Sequence, residues 1–126
     1  MGTRIVVTAA GVRVRGELAE TECARSVASV LPVEGRGNRW GDEIYFSIPL
    51  RGVALDETAA EVLEAGDLGY WPPGRALCIF FGPTPASRGE EIRAASPVCR
   101  IGRLEGDAAV LRAVPDGALV RIARDD

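Results

Sequence analysis

The residues GDLGYWPPGRALCIFF at positions 66–81 decide the fold. This stretch holds two apolar runs, 68–71 and 76–81, on either side of Pro72-Pro73-Gly74. Proline and glycine between apolar runs favour a turn, so the pattern predicts two successive strands. Every residue of the second run is apolar, which is typical of a central strand that is covered on both faces. The chain is therefore expected to form a β-sheet with a layer on each side of this strand.

A second stretch, WGDEIYFSIP at positions 40–49, predicts a further strand over 43–48 that ends at Pro49. Side chains of a strand point alternately to its two faces, so one set is expected in the core and the other outside. The set expected in the core is Ile44, Phe46 and Ile48, and the set expected outside is Glu43, Tyr45 and Ser47.

The remaining elements are short. Gly11 separates two strand patterns, and the apolar spacing over 21–31 predicts a helix with Thr21 as its N-cap and Pro32 after it. Strands are expected at 5–8, 12–15, 98–104 and 118–122, helices at 56–65 and 108–114, and a loop at 34–39. Seven or eight short strands without an internal repeat or linker indicate one small barrel or sandwich over residues 1–126.

The composition excludes several kinds of chemistry. The chain has 15 arginines and 18 acidic residues, a formal net charge of −3, and no histidine, lysine or glutamine. An imidazole base, a histidine metal ligand and a Schiff-base lysine are therefore all excluded. No serine has a histidine or lysine to activate it, so no nucleophile is predicted. Scattered arginines and a negative net charge also disfavour nucleic-acid binding.

The three cysteines, Cys23, Cys78 and Cys99, are far apart in the sequence and include no CxxC pair. This spacing predicts neither a disulfide framework nor a zinc site, and Cys78 is expected to be a core residue. No segment has the pattern of a signal peptide or the length of an apolar membrane span. We therefore expect a cytoplasmic protein without metal, cofactor, nucleic-acid or membrane partner, either a monomer or a weak homodimer.

The motifs WGDEIYF at 40–46 and GDLGYWPPG at 66–74 are long and rare. Together they resemble the small prokaryotic cyclophilin-like proteins of uncharacterised function, which are known mainly from structural genomics. The order of elements resembles that family over nearly the whole chain. The resemblance implies a mainly β, cyclophilin-like closed barrel of about eight strands, with one clear helix and one or two short helices.

The resemblance also raises the peptidyl-prolyl isomerase activity of true cyclophilins. In those enzymes an arginine in the strand after the first helix acts on the proline amide, beside a glutamine, a tryptophan and a histidine. Here the corresponding strand reads EIYFSIP, Arg39 and Arg51 lie outside it, and the FHRIIPGF-type signature is absent. No catalytic residue can be transferred, so a binding module is preferred to an enzyme. A weak isomerase that uses Arg39 or Arg75, and an accessory subunit of an amide-cleaving enzyme, stay as alternatives.

The candidate ligand site is predicted from the tryptophans and tyrosines, which all lie within the two motifs WGDEIYF and GDLGYWPPG. Aromatic rings beside a few polar groups are typical of a ligand cleft, although such rings also fill cores. A peptide or a small flat molecule is the expected ligand, with the loop 84–89 as a gate. For Glu43 alone, a solvated side chain paired with an arginine is the favoured interpretation. The predicted ligand-binding residues are Trp40, Glu43, Tyr45, Ser47, Trp71, Phe81 and Thr84.

Overall fold

The computed structural model describes residues 2–125, which form one ten-stranded antiparallel sheet with a short α-helix and two 3-10 helices. The strands are β1 (Thr3–Ala9), β2 (Val12–Leu18), β3 (Val33–Arg36), β4 (Asn38–Arg39), β5 (Glu43–Ser47), β6 (Ala59–Leu63), β7 (Asp67–Trp71), β8 (Ala76–Phe80), β9 (Ile92–Leu104) and β10 (Leu119–Arg124). The helices are α1 (Glu22–Ser29) and the 3-10 helices Pro72–Gly74 and Ala108–Ala113. The predicted mainly β architecture with one clear helix is confirmed.

The sheet curls into an approximate barrel that hydrogen bonds do not fully close. Its strand order is β3-β10-β1-β2-β9-β7-β8-β5-β4, and β6 pairs with β9 beside this path. The end strands β3 and β4 are separated in the chain only by Gly37, whose N–H donates to the carbonyl of Ala118 at 2.8 Å. The chain itself therefore spans the gap between the two ends. The expected closed barrel of about eight strands is instead a ten-stranded barrel with one open seam.

Three of the strands were not predicted, and two of them, β3 and β4, come from the segment 33–39, so the prediction of a loop over 34–39 was wrong. Its glycines allow close packing rather than a turn. A Cβ on Gly35 would lie 2.9 Å from Cδ2 of Phe46, and one on Gly37 would lie 2.8 Å from Cγ2 of Ile44. Both distances are too short for real side chains, so this seam of the barrel requires glycine at the two positions.

The predicted helix over 56–65 was also wrong, because this segment contains the strand β6. Ala59 pairs with Cys99 and Leu63 pairs with Ile92 on β9. Alanine, glutamate and leucine favour a helix in isolation, but propensity is weak and tertiary pairing overrides it here. The carboxylate of Asp56, just before β6, accepts hydrogen bonds from the backbone of Thr58 and of Cys23.

The other element predictions are confirmed with small shifts of their ends, except that β9 begins at Ile92 rather than at the expected residue 98. Thr21 caps α1, and its Oγ1 accepts from the N–H of Ala24 at 3.3 Å, although the helix ends at Ser29. The hairpin between β1 and β2 turns through Gly11 at a φ of +81°. Asp107 caps the late helix, which is a 3-10 helix.

Two apolar cores lie on opposite faces of the strands β5, β7 and β8. The larger core fills the barrel and contains Ile44, Phe46 and Ile79. The smaller core lies outside, where β6 and the first half of β9 cover residues such as Cys78 and Phe80. All five residues of β8 are buried, so the prediction of a strand covered on both faces is confirmed.

Candidate functional site

A cavity of about 260 Å³ lies at the edge of the outer core, where β5, β7 and β8 face the middle of β9. Three half-buried aromatic rings and one carboxyl group form much of its wall, and small residues form the rest. Its lining residues are Trp40, Glu43, Tyr45, Trp71, Cys78, Ala94, Ala95 and Val98. The arrangement can enclose a small flat molecule and offer it one ionisable group.

Among residues 2–125, Glu43 is the only acidic residue that lines this cavity. It begins β5, where Ile44 points into the barrel, so the Glu43 side chain points to the outer face. The predicted side is therefore correct, but the outer core covers that face, and Glu43 is only 6% exposed. The interpretation of Glu43 as a solvated residue paired with an arginine was wrong: no ion pair within residues 2–125 includes it.

The environment of Glu43 changes its acidity. Burial raises the pKa of its carboxyl group to about 7, and a hydrogen bond with the Cys78 thiol opposes part of this rise. Cys78 lies on the neighbouring strand, and burial beside Glu43 raises the pKa of its thiol, so this thiol is protonated and can donate. At neutral pH the carboxyl group thus exists in both protonation states, and it can accept or release a proton.

Local contacts fix the aromatic rings of the cavity. The indole Nε1 of Trp71 at the end of β7 donates to Oγ of Ser96 on the neighbouring strand β9 at 2.6 Å. Trp40 lies in a tight turn in which its N–H donates to the carbonyl of Glu43 at 3.0 Å. Gly41 in this turn has a φ of +63° and lies against Thr84, so a side chain there would be strained. The cavity wall is therefore largely preformed.

The structure brings four of the seven predicted ligand-binding residues together: Trp40, Glu43, Tyr45 and Trp71. The other three lie elsewhere. Ser47 is exposed, donates to the carbonyl of Gly74 at 3.0 Å and lines a separate shallow cavity. Phe81 is buried in the barrel core, and the guanidinium carbon of Arg39 lies 5.1 Å from its ring centroid.

Thr84 is 7% exposed and holds the loop after β8 in place rather than facing the cavity. Its hydroxyl donates to the carbonyl of Arg93 and accepts from the N–H of Ala86. No residue of the loop 84–89 lines the cavity, so no contact supports the expected role of this loop as a gate.

Sequence reasoning missed the small residues of the cavity wall: Cys78, Ala94, Ala95 and Val98. A signal for Cys78 was available, because it alternates with Leu77 and Ile79 and so must face the outer side of β8. Ala94 and Ala95 fall in the part of β9 before 98 that the pattern did not identify as a strand. The methyl side chain of alanine has no aromatic, charged or hydrogen-bonding group, so the sequence does not identify an alanine as part of a ligand site.

A second buried polar cluster contains Cys23, Asp56 and Cys99, whose ligating atoms all lie within 4.8 Å of one another. Two thiols and a carboxylate can in principle bind a soft metal ion. The Asp56 oxygens already accept from the backbone of Cys23 at 3.2 Å and of Thr58 at 2.9 Å. Burial raises the pKa of both thiols, so they are protonated, and a metal ion would first have to displace their protons.

No helix among residues 2–125 is long and apolar enough to cross a membrane. A search among curated proteins finds no match for the chain. Among solved structures, the chain is similar to a hypothetical protein from Archaeoglobus fulgidus, determined in solution, with 39% sequence identity and a TM-score of 0.81. That match covers 98% of this chain and 95% of the archaeal chain. The family model described as Cyclophilin-like matches residues 3–123. With nearly the whole chain matched, this protein belongs to the cyclophilin-like family.

Proposed function

We propose that the chain is a non-catalytic binding module whose ligand is a small, flat, partly apolar molecule held in the cavity between β5, β8 and β9. The observation that carries this proposal is the gathering of three of the four tryptophan and tyrosine side chains around one space of about 260 Å³. A space of this size suits a single ring or one peptide side chain better than an extended peptide.

The fourth such residue, Tyr70, provides an internal contrast. It faces the barrel core, is 1% exposed and lines neither this cavity nor the one beside Ser47. Tyr45 and Trp71 keep part of their surface accessible beside the cavity. Rings that only filled the core would be enclosed like Tyr70, so the half-buried rings support a binding role. The three buried free thiols are compatible with a reducing compartment such as the cytoplasm, which we propose as the site of this binding.

The isomerase alternative needs an arginine that can donate to a proline amide. Arg39 instead donates to Asp42, to the carbonyl of Gly41 and to the carbonyl of Val114 at 2.7 Å. Arg75 lines the separate cavity beside Ser47. Neither arginine lines the aromatic cavity, so the geometry favours binding over isomerisation.

The test is an NMR titration of isotope-labelled protein with indole, with benzoate and with an Ala-Pro peptide, recorded with exchange spectra of the peptide. We expect indole to shift the signals of Trp71, Tyr45 and Val98. Ala95→Leu, which adds bulk at the exposed side of the cavity, should weaken these shifts, whereas Ser47→Ala, on the same strand as Tyr45 but outside the cavity, should leave them unchanged.

Absence of shifts at the cavity residues with all three probes would contradict the proposed function. Accelerated cis–trans exchange of the peptide would instead favour the isomerase. If the protein co-purifies with an amide-cleaving enzyme and binds no probe, the accessory-subunit alternative gains support.

A further inference from the structure

The charge balance of the aromatic cavity is incomplete. Glu43 is a buried carboxyl group, and no arginine lines the cavity beside it. The chain contains no lysine or histidine that could neutralise it. Arg39 lies nearby in the chain, but its guanidinium is bound to Asp42 and to backbone carbonyls. Arg112 is likewise paired with Asp42, at 3.2 Å. Since an unpaired buried charge is unfavourable, either a proton or a ligand must supply the missing positive charge.

The rings around the carboxyl group have the right electronic character for a cation. The faces of tryptophan and tyrosine rings carry partial negative charge and attract ammonium groups within about 6 Å of the ring centroid. Trp40, Tyr45 and Trp71 surround the same space that Glu43 faces. The hydrogen bond from Trp71 to Ser96 holds one of these rings in place before a ligand arrives. A neutral aromatic ligand would use the rings but would leave the carboxyl group without a partner.

Building on the proposed function, we propose that the natural ligand of this cavity is an organic cation, a substituted or quaternary ammonium group held between the three rings and the Glu43 carboxylate. In the empty cavity Glu43 holds a proton for part of the time. When the cation binds to the protonated form, that proton leaves to solvent and the carboxylate then pairs with the ammonium group. No bond other than the O–H bond of the carboxyl group is broken.

The groups that face Glu43 allow this exchange. The titratable side chains that line the cavity with it are the Cys78 thiol and the Tyr45 phenol. Burial raises the pKa of the Cys78 thiol, which is therefore protonated, and both the thiol and the phenol carry a hydrogen that can be donated to a carboxylate. The segments from β9 and β7 contribute Ala94, Ala95, Val98 and Trp71, none of which is charged. A cation would therefore meet one negative charge and no competing positive one.

The test compares choline with dimethylbutanol, a neutral molecule of the same shape in which carbon replaces the charged nitrogen. Dissociation constants come from NMR shifts of the Trp71 indole N–H. At about pH 8 we expect choline to bind at least about tenfold more tightly than the neutral isostere. At about pH 5.5, where Glu43 is largely protonated, the affinity for choline should fall by about tenfold or more, while that of the isostere should not change.

Two variants locate the charge. Glu43→Gln should abolish the preference for choline and keep binding of the isostere. Glu61→Gln, which removes an exposed carboxylate from β6, should leave the preference intact. The pH series on the unmodified protein gives the same information should Glu43→Gln fail to fold.

Equal affinity for the two probes at both pH values would overturn the cation inference and would leave the proposed binding function standing. Binding of indole with no binding of choline would overturn it as well. If neither choline, its isostere nor indole binds, both the inference and the proposed function fail.

Discussion

Two clusters in this barrel combine a carboxyl group with buried thiols, yet they differ in charge. In the first cluster, burial raises the pKa of Glu43 to about 7, and the Cys78 thiol is the group that opposes this rise. In the second, burial would raise the pKa of Asp56, but hydrogen bonds from Thr58 and the Cys23 backbone lower it below its usual value.

The difference between the clusters follows from the backbone around them. The loop before β6 and the first turn of α1 direct N–H groups at the Asp56 carboxylate, which is therefore charged and structural. The Glu43 carboxyl group faces rings and small apolar side chains instead, across a cavity. The partly buried Asp56 has its own backbone donors and stabilises the fold, whereas the buried Glu43 has no such donors, as the proposed ligand site requires.

The largest expected effect is on the Asp56 cluster. Asp56→Ala removes an acceptor of three hydrogen bonds, those from Cys23 N–H, Thr58 N–H and the Thr58 hydroxyl. At about 1 kcal/mol for each bond, the free energy of unfolding should fall by about 3 kcal/mol. Denaturant titration measures this loss. Asp107→Ala, which removes the acceptor of one bond to Ala109 N–H, serves as the control and should cost about 1 kcal/mol or less.

A loss no larger than that of the control would show that the Asp56 donors are satisfied by water, and the contrast between the clusters would fail.

Asp56→Ala should lower the free energy of unfolding, whereas Glu43→Gln should raise it relative to the native chain at high pH. The pKa of Glu43 is raised from 4.5 to about 7 on folding, so the folded state holds the proton more tightly than the unfolded state. Stability should therefore fall as the pH rises through this window and level off above it. Between about pH 5 and pH 8, the stability of the variant relative to the native chain should increase by about 2 kcal/mol.

Thermal or denaturant unfolding over this pH range measures the difference. Because only the change with pH is compared, a constant cost of the glutamine amide does not matter. A difference that stays flat with pH would mean that Glu43 ionises in the folded protein as it does in water.

The smallest expected effect is the change in the pKa of Glu43 when the Cys78 thiol is removed. Cys78→Val keeps the size of the side chain but removes the donor to Glu43, so the pKa of Glu43 should rise further. Carbon-detected NMR titration of the Glu43 carboxyl group measures the shift. Cys99→Val, a change of the same kind in the other cluster, should leave the Glu43 titration unchanged. If both variants move it equally, the two clusters are coupled through the sheet.

Much of the fold could be predicted from local pattern. The alternation in β5 predicted the face of each residue, and the continuous apolar run of β8 predicted a strand that is buried on both faces. The part that failed depends on contacts between distant segments. Residues 56–65 have helical propensity and become the strand β6 only because β9 pairs with them.

The site was predicted in part for the same reason. Tryptophan and tyrosine are recognisable as candidate ligand-binding residues by their type alone, so Trp40, Tyr45 and Trp71 could be assigned to one site from the sequence. The burial of Glu43 could not be predicted, because the outer layer that covers it comes from the misassigned β6 and the unrecognised first half of β9. The proximity of Cys23 to Cys99 could likewise not be predicted, because α1 and β9 are far apart in the sequence and come into contact only in the folded structure.

The place of β10 in the sheet has a consequence for how the chain acquires its structure. β10 lies between β1 and β3 and pairs with both, although it follows the other described strands in the sequence. A growing polypeptide therefore presents the edges of β1 and β3 unpaired until residues 119–124 leave the ribosome. Pairing across such sequence distances is slow, so barrel formation should follow synthesis rather than accompany it. During that interval the unpaired edges are the surfaces that a chaperone would have to protect.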